Sequence, residues 1–258
     1  MVIRGLALNG RNTAGSAGIE INSGTGTGHV IAGNFVGTNA AGTTAVPNQN
    51  GVFVSSGSNV TIGGDAPTER NLISGNTFNA VTVNTSDNTI EGNIIGLDKD
   101  GNPLGNGLQG VRIQGSPPGT GNSILDNSIS SNSGLGIDLS GIDANDGKDR
   151  DAGPNNGQNF PVISSATRSS DGTTTITGNL SSTPRKVFTI QFFSNPSTAD
   201  GEGKEFLGEL NVRTNRKGKA SFNAITTKNV AVGELVTATA TAFSTGDTSE
   251  FSAAKTVG

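Results

Sequence analysis

The chain has 258 residues, of which 15% are charged, and its net charge at pH 7 is −4. Such a chain offers no basic surface for nucleic acid, and it has no run of about 20 apolar residues that could cross a membrane. It contains no cysteine, which excludes disulfides and thiolate metal sites. Thirty of the 39 glycines precede residue 161, whereas seven of the eleven phenylalanines follow residue 160. This shift in composition predicts a domain boundary near residue 160.

Two short phrases alternate along residues 1–140. The first is a glycine or alanine followed by an apolar-any-apolar triplet, at residues 18–21, 51–54, 80–83, 110–113 and 136–139. The second places a short apolar stretch before Gly-Asn or a related pair, at residues 30–34, 71–76, 88–93 and 122–127, with a weaker copy at 59–64. Alternation of period two indicates strands with one buried face.

Strands this short are stable only when each coil of the chain stacks its strand on the same strand of the previous coil. Residues 1–141 are therefore predicted to form a short right-handed parallel β-helix, also called a β-solenoid. Asparagine and glycine after each strand suit the corners between strands. We expect four of these asparagines to stack as one internal ladder: Asn34, Asn76, Asn93 and Asn127.

A β-helix also suggests a polysaccharide lyase or hydrolase, which would need catalytic groups on an outward face. The triplet phrase predicts an outward row of Glu20, Phe53, Thr82, Arg112 and Asp138. The second phrase predicts a row of Arg4, Ala32, Ser74, Glu91 and Asp126. Glu91 and Asp126 could form a carboxylate dyad, but a solvated polar face explains them as well. Arg112 beside Asp138 predicts a surface ion pair. The chain has neither Trp nor Tyr, the usual sugar platforms, which disfavours sugar chemistry.

Residues 142–160 form an Asp/Asn-rich junction with oxygen-bearing side chains at alternating positions. The predicted metal ligands are Asp143, Asn145, Asp146, Asp149 and Asp151. Hard oxygen ligands on a glycine-containing loop suit Ca²⁺, which takes six to eight oxygens. The competing interpretation is a solvated acidic linker, partly neutralised by its own basic residues. We predict a structural Ca²⁺ site here.

Residues 161–258 are predicted to form a seven-stranded β-sandwich of immunoglobulin-like or fibronectin-like type. The predicted strands are 161–168, 173–181, 186–194, 205–213, 219–225, 233–243 and 249–257. Three inward-facing sets are expected. They are Phe188, Ile190 and Phe192; Phe206, Leu210 and Val212; and Val236, Ala238 and Ala240.

The junction and the tail carry a family resemblance. Its phrases are residues 134–139, 145–162, 206–208, 236–240 and 248–252. Together they resemble large bacterial surface proteins named for an N-terminal CSLREA signature, in which a parallel β-helix precedes an acidic junction and a β-sandwich. The signature segment is missing here. The resemblance implies secretion and a surface role, and it supplies no catalytic residues.

The sequence therefore favours a non-catalytic structural or adhesive module, either extracellular or on the bacterial cell surface. The first alternative is a polysaccharide-active enzyme that uses Glu91 and Asp126. The second is a module that binds a surface protein or polysaccharide through its sandwich. No signal peptide precedes the strand-like run at residues 2–8, so we expect the chain to be part of a longer protein. Its first coil would then be uncapped and prone to end-to-end self-association.

Overall fold

The computed structural model describes residues 1–22, 24, 26–141, 144–196 and 201–258. Residues 1–141 fold as a β-solenoid of three parallel five-stranded sheets, which confirms the predicted β-helix. Sheet A contains β1 (Val2–Arg4), β4 (Val30–Ala32), β7 (Thr61–Gly63), β10 (Thr89–Glu91) and β13 (Ser123–Leu125). Sheet B contains β2 (Ala7–Leu8), β5 (Phe35–Val36), β8 (Leu72–Ile73), β11 (Ile94–Ile95) and β14 (Ser128–Ile129). Sheet C contains β3 (Ala17–Ile21), β6 (Asn50–Val54), β9 (Val81–Val83), β12 (Val111–Ile113) and β15 (Ile137–Asp138).

Each coil has three strands, whereas the sequence phrases suggested two. The triplet phrase forms sheet C, and its outward row is confirmed from Glu20 to Asp138 by the strand register. The second predicted row is wrong, because that phrase mixes strands of sheets A and B. The row of sheet A is Arg4, Ala32, Gly63, Glu91 and Leu125. Ser74 follows a strand of sheet B, and Asp126 lies one residue beyond Leu125.

The solenoid core consists of aligned columns of β-branched and leucine side chains. Sheet A contributes five isoleucines in register: Ile3, Ile31, Ile62, Ile90 and Ile124. Four of them are at most 3% exposed, and Ile3 at the outer coil is partly buried. Full burial of one such side chain stabilises the fold by about 1.5–3 kcal/mol. Stacking of identical residues is therefore what makes strands of two to five residues stable.

Asparagines line the three corners of the solenoid as separate ladders. Asn34, Asn71, Asn93 and Asn127 form the first, with Nδ2 to Oδ1 distances of 3.1, 2.9 and 2.9 Å. Asn48, Asn76, Asn106 and Asn132 form the second, with distances of 3.1, 2.9 and 2.8 Å. Asn88 and Asn122 form the third at 2.8 Å. The predicted single ladder is thus wrong for Asn76, which belongs to another corner.

Residues 161–258 form two antiparallel sheets that enclose a second core, as predicted for a sandwich. One sheet has the order β16-β17-β20, with β16 (Val162–Arg168), β17 (Thr174–Ser181) and β20 (Lys219–Thr226). The other has the order β19-β18-β21-β22, with β18 (Val187–Asn195), β19 (Glu205–Arg213), β21 (Leu235–Ala242) and β22 (Lys255–Thr256). A 3-10 turn, Pro154–Gly157, precedes them in the junction.

Two details of the sandwich differ from the sequence prediction. The strand register of β19 shifts beside Phe192, where Gly208 has a φ of +140°, so Leu207 rather than Phe206 enters the core. The predicted last strand, 249–257, is regular only at Lys255–Thr256. Its earlier part instead contacts the solenoid. The expected inward rows on β18 and β21 are confirmed, since all six side chains are buried in the second core.

The sandwich and the junction cover the last coil of the solenoid. Each sheet finds hydrogen-bonding partners there: Thr248 Oγ1 accepts the N–H of Ile124, Gly203 pairs with Ile129, and Glu250 Oε1 accepts the N–H of Leu139. Phe251 packs against the solenoid core itself. Among the described residues, no helix is long and apolar enough to span a membrane.

Candidate functional site

The junction brings together three of the five predicted metal ligands. Carboxylate oxygens of Asp146, Asp149 and Asp151 all lie within 4.8 Å of one another, and all three residues are partly buried. Asp143 lies outside the described residues. Asn145 uses both ends of its side-chain amide on the backbone of Phe160, at 2.8 Å each. The structure therefore places a compact acidic group of three aspartates at the entry to the sandwich.

Hydrogen bonds fix two of these carboxylates. Asp149 Oδ1 accepts the N–H of Asn159 at 2.8 Å, and its Oδ2 accepts the hydroxyl of Ser182 at 2.6 Å. Both oxygens of Asp146 accept the N–H of Arg150 at 3.1 Å. Burial raises the pKa of Asp149, the hydrogen bonds oppose that rise, and the charges of Asp151 and Asp146 add to it. Mutual repulsion at this group is a cost that a bound cation would remove.

Asp151 provides the feature of this group that most resembles a ligand site. Its Oδ1 is buried and has no hydrogen-bond partner among the described residues. Gly157, at a φ of +61°, lies against the same carboxylate. A Cβ added to Gly157 would come within 2.9 Å of Asp151 Cγ. A buried carboxylate oxygen without a partner costs free energy unless something compensates it. The donor set and this orphaned oxygen both fit a hard cation such as Ca²⁺.

A second acidic cluster joins the two residues of the predicted carboxylate dyad. Carboxylate oxygens of Glu91 and Asp126 lie within 4.8 Å of each other and of Asp65. The sequence prediction missed Asp65. This residue follows the weak phrase at residues 59–64, one coil before Glu91, and only the stacking of coils brings the two together. Burial and the neighbouring Asp65 raise the pKa of Glu91 to about 7, and Asp126 adds to this. Burial also raises the pKa of Asp126.

Two residues of this cluster line a cleft of about 320 Å³ between the solenoid and the sandwich. Glu91 and Asp126 line its solenoid wall, and Gln191 and Glu209 line its sandwich wall. Phe243, which is 75% exposed, lies at the same cleft. An acid with a pKa near neutrality beside a second carboxylate is an arrangement that can transfer protons.

Sequence reasoning also missed the residues that end the asparagine ladders. Asn155 Oδ1 accepts the N–H of Asn122 at 3.0 Å, and Glu202 Oε1 accepts from Asn132 Nδ2 at 2.9 Å. The signal for Asn155 was the Gly-Pro-Asn-Asn-Gly run, which is typical of a turn, and Asn155 has a left-handed φ of +45° there. Nothing near Glu202 in the sequence distinguishes it from a turn residue.

The outward face of sheet C carries the predicted ion pair. Arg112 Nε lies 3.4 Å from Asp138 Oδ2, and it also contacts Ser140 Oγ at 2.9 Å. The pair joins the last two coils and leaves the arginine about one-third exposed. As a partly exposed ion pair, it stabilises the surface of the solenoid modestly.

Comparison with models of known protein families gives no match to this chain, and comparison with curated proteins gives no significant match.

Proposed function

We propose that this chain is a structural module of a secreted or cell-surface protein, with the solenoid as a rigid stalk and the sandwich as its cap. The supporting observation is the covered last coil. All three sheets end on a hydrogen-bonding partner from the sandwich, and Phe251 covers the core. A solenoid needs such a cap because its last coil otherwise exposes both its core and its strand edges. The resemblance to CSLREA-type surface proteins supports the same role, including an adhesive one.

The location is tested in the bacterium that makes the protein. Intact cells are treated with a protease that cannot enter them, and an antibody against the sandwich then probes the cells and the medium. The proposal expects the signal in the medium or on the cell surface, where the protease removes it. A signal protected inside intact cells and released only on lysis would contradict it.

We further propose that Asp146, Asp149 and Asp151 hold a structural Ca²⁺ that fixes the junction. Three carboxylates within 4.8 Å and the orphaned Asp151 Oδ1 support this. The ion would neutralise their repulsion and set the path of the chain between the two folds. A ligand present at 100 times its Kd stabilises a protein by about 2.7 kcal/mol.

Thermal melting with chelator and with millimolar calcium tests this proposal. Calcium should raise the Tm by several degrees, and Asp149→Asn should remove most of that gain. Asp171→Asn is the matched control, since Asp171 is an exposed carboxylate that accepts from Thr173 in a sandwich turn. Identical melts of the unmodified protein in chelator and in calcium would refute the ion site.

A second candidate function is cleavage of a polysaccharide by Glu91 and Asp126. The observation that favours it is the cleft that brings the carboxylates of Glu91 and Asp126 within 4.8 Å of each other, where burial raises the pKa of Glu91 to about 7. Glu91 would act as the general acid and Asp126 as its carboxylate partner. Release of new reducing or unsaturated ends from a polysaccharide panel, lost in Glu91→Gln, would support it. The structural proposal expects no release from any polymer.

A further inference from the structure

The solenoid and the sandwich meet at a joint formed by carboxylates of both. Asp126 lies at a corner of the last coil, and its N–H donates to Gln191 Oε1 of β18 at 3.0 Å. The Nε2 group of the same glutamine donates hydrogen bonds to Asp126 Oδ1 at 2.7 Å and to Glu209 Oε2 of β19 at 3.0 Å. One amide therefore holds two carboxylates, one from each side of the joint.

Further acids face this pair from the neighbouring coils. Glu91 of β10 and Asp65 lie within 4.8 Å of Asp126, and Glu69 also acts on Glu91. The opposing charge on Asp126 comes from Arg70. The adjoining cleft, which Asp126 also lines, carries charges of both signs: Asp98, Asp100, Glu205, Lys99, Lys204 and Lys228. Two of these cations are engaged, because Lys99 pairs with Asp100 and Lys228 donates to the carbonyl of Phe206.

We propose that this joint responds to pH, so that protonation of the carboxylates around Asp126 tightens the attachment of the sandwich to the last coil. The charges of Asp126 on the last coil and Glu209 on the sandwich repel each other across the interface, and the charges of Asp65 and Asp126 act on Glu91 beside it. Protonation relieves this repulsion. A protonated carboxyl can also donate a hydrogen bond to a neighbouring carboxylate, which an ionised one cannot do.

The direction of the effect follows from the raised pKa values. Glu91 lines the cleft that the sandwich closes, and burial is the first cause that raises its pKa to about 7, so the docked state binds its proton more tightly than an uncovered coil would. Burial and the charge of Glu209, which the sandwich brings to the joint, raise the pKa of Asp126 in the same way. Attachment therefore strengthens as the pH falls through 7.

Hydrogen exchange of the whole chain, measured between pH 5.5 and 8.0 in chelator, tests the proposal. The reporter is the amide of Asp126, and the reference is the amide of Val81, which donates to Gly110 within sheet C. After correction for intrinsic exchange rates, protection of Asp126 should rise about tenfold at the lower pH, since one pKa unit corresponds to a factor of ten. Protection of Val81 should change much less.

Variants assign the effect to the cluster. Glu91→Gln should raise the protection of Asp126 at pH 8.0 and remove most of its pH dependence. Glu20→Gln should leave both unchanged, because Glu20 is exposed on sheet C. Equal protection at both pH values, or an unchanged pH dependence in Glu91→Gln, would overturn the proposal.

Carbon NMR of the side-chain carboxyls gives a test that needs no variant. Titration of Glu91 near pH 7 in the unmodified protein is expected, and titration below pH 5 would overturn the proposal. Either negative result would leave the capped-stalk function standing, because that function rests on the hydrogen bonds and Phe251 at the last coil.

Discussion

Asn93 shows how one side chain satisfies several buried polar groups at a solenoid corner. Its Nδ2 donates to the carbonyl of Ile62 at 2.8 Å and to Asn127 Oδ1 at 2.9 Å, while its Oδ1 accepts from Asn71 Nδ2 at 2.9 Å. The residue is completely buried. A hydrophobic side chain in this place would remove the hydrogen bonds to the carbonyl of Ile62 and to the side chains of Asn71 and Asn127, in surroundings that water does not reach.

Asn93→Ala should lower the free energy of unfolding by about 2–4 kcal/mol, because a buried polar group left without a partner costs about 1–3 kcal/mol. Denaturant unfolding followed by circular dichroism measures this. Asn211→Ala is the control, since Asn211 is exposed on β19 and its side chain accepts the hydroxyl of Thr189. Its loss should stay within about 0.5 kcal/mol. Equal losses for the two variants would mean that the ladder contributes no specific stability.

The raised pKa of Glu91 gives a second prediction for a single residue. Glu91→Gln removes an ionised group from an acidic cluster, so it should stabilise the protein at pH 8, by about 1 kcal/mol after solvent screening is allowed for. The gain should disappear near pH 4.5, where the unmodified side chain is protonated in the folded state and increasingly in the unfolded state. Melting curves of both proteins across this range check the sign. A variant less stable than the parent at pH 8 would contradict the prediction.

The segment between β21 and β22 is not a regular strand and instead covers the end of the solenoid. Phe251 packs on the solenoid core and meets Phe193 edge-on, with ring centroids 5.4 Å apart. Gly136 lies beneath the ring, and a Cβ added there would come within 2.8 Å of it. The close approach explains why a residue without a side chain occupies this turn of the last coil.

Phe251→Ala should cost about 2–3 kcal/mol, since it uncovers the end of the core and removes an aromatic pair. Gly136→Val should destabilise the same contact by steric clash. Phe243→Ala serves as the control because Phe243 is 75% exposed. Thermal melting measures all three, and hydrogen exchange in β13–β15 locates the damage. Protection of those strands that is unchanged in Phe251→Ala would show that the ring does not cap the solenoid.

The sequence predicted elements whose signal lies within one strand. The outward row from Glu20 to Asp138 follows from alternation inside each triplet, and its register follows from the spacing of the copies. The row through Ser74 failed because strands of two residues in sheet B carry too little pattern to separate them from sheet A. Leu207 replaced Phe206 in the core because a bulge changes the facing of every later residue.

The two acidic clusters also differ in how far the sequence predicted them, because only one of them is formed by residues close together in the chain. Asp146, Asp149 and Asp151 are neighbours in sequence, so any compact junction brings them close. Asp65 joins Glu91 and Asp126 only through stacking of three successive coils. Glu209 reaches Asp126 through Gln191 and through the docking of a second fold. Contacts of this kind depend on tertiary arrangement, which local patterns do not encode.

The two ends of the solenoid differ in how well they are covered. The last coil is covered by the sandwich, whereas β1, β2 and β3 are the outer strands of their sheets. Met1, Val2 and Leu6 are each at least 50% exposed, and Ile3 and Leu8 are only partly buried. We propose that the 258-residue chain self-associates through this end, because open strand edges pair readily with other strands.

The amides of β1 and β2 should exchange faster than those of β9 and β10 at low protein concentration, because an outer coil has a neighbour on one side only. Raising the concentration should slow their exchange and increase the mass found by sedimentation. Both changes are expected together. A chain that stays monomeric, with β1 protected as strongly as β10, would show that the outer coil is closed without a partner.

The direction of the backbone hydrogen bonds in sheets A, B and C gives the molecule an uneven resistance to force. These bonds run along the solenoid axis, so a pull on the N-terminus opens the outermost coil before the next one bears load. Successive isoleucines of sheet A are 28 to 34 residues apart, and one coil therefore releases roughly 100 Å of chain at about 3.5 Å per residue. Stretched from that end, the solenoid should lengthen in four such steps while the capped last coil holds, so a stalk that is rigid at rest would give way one coil at a time.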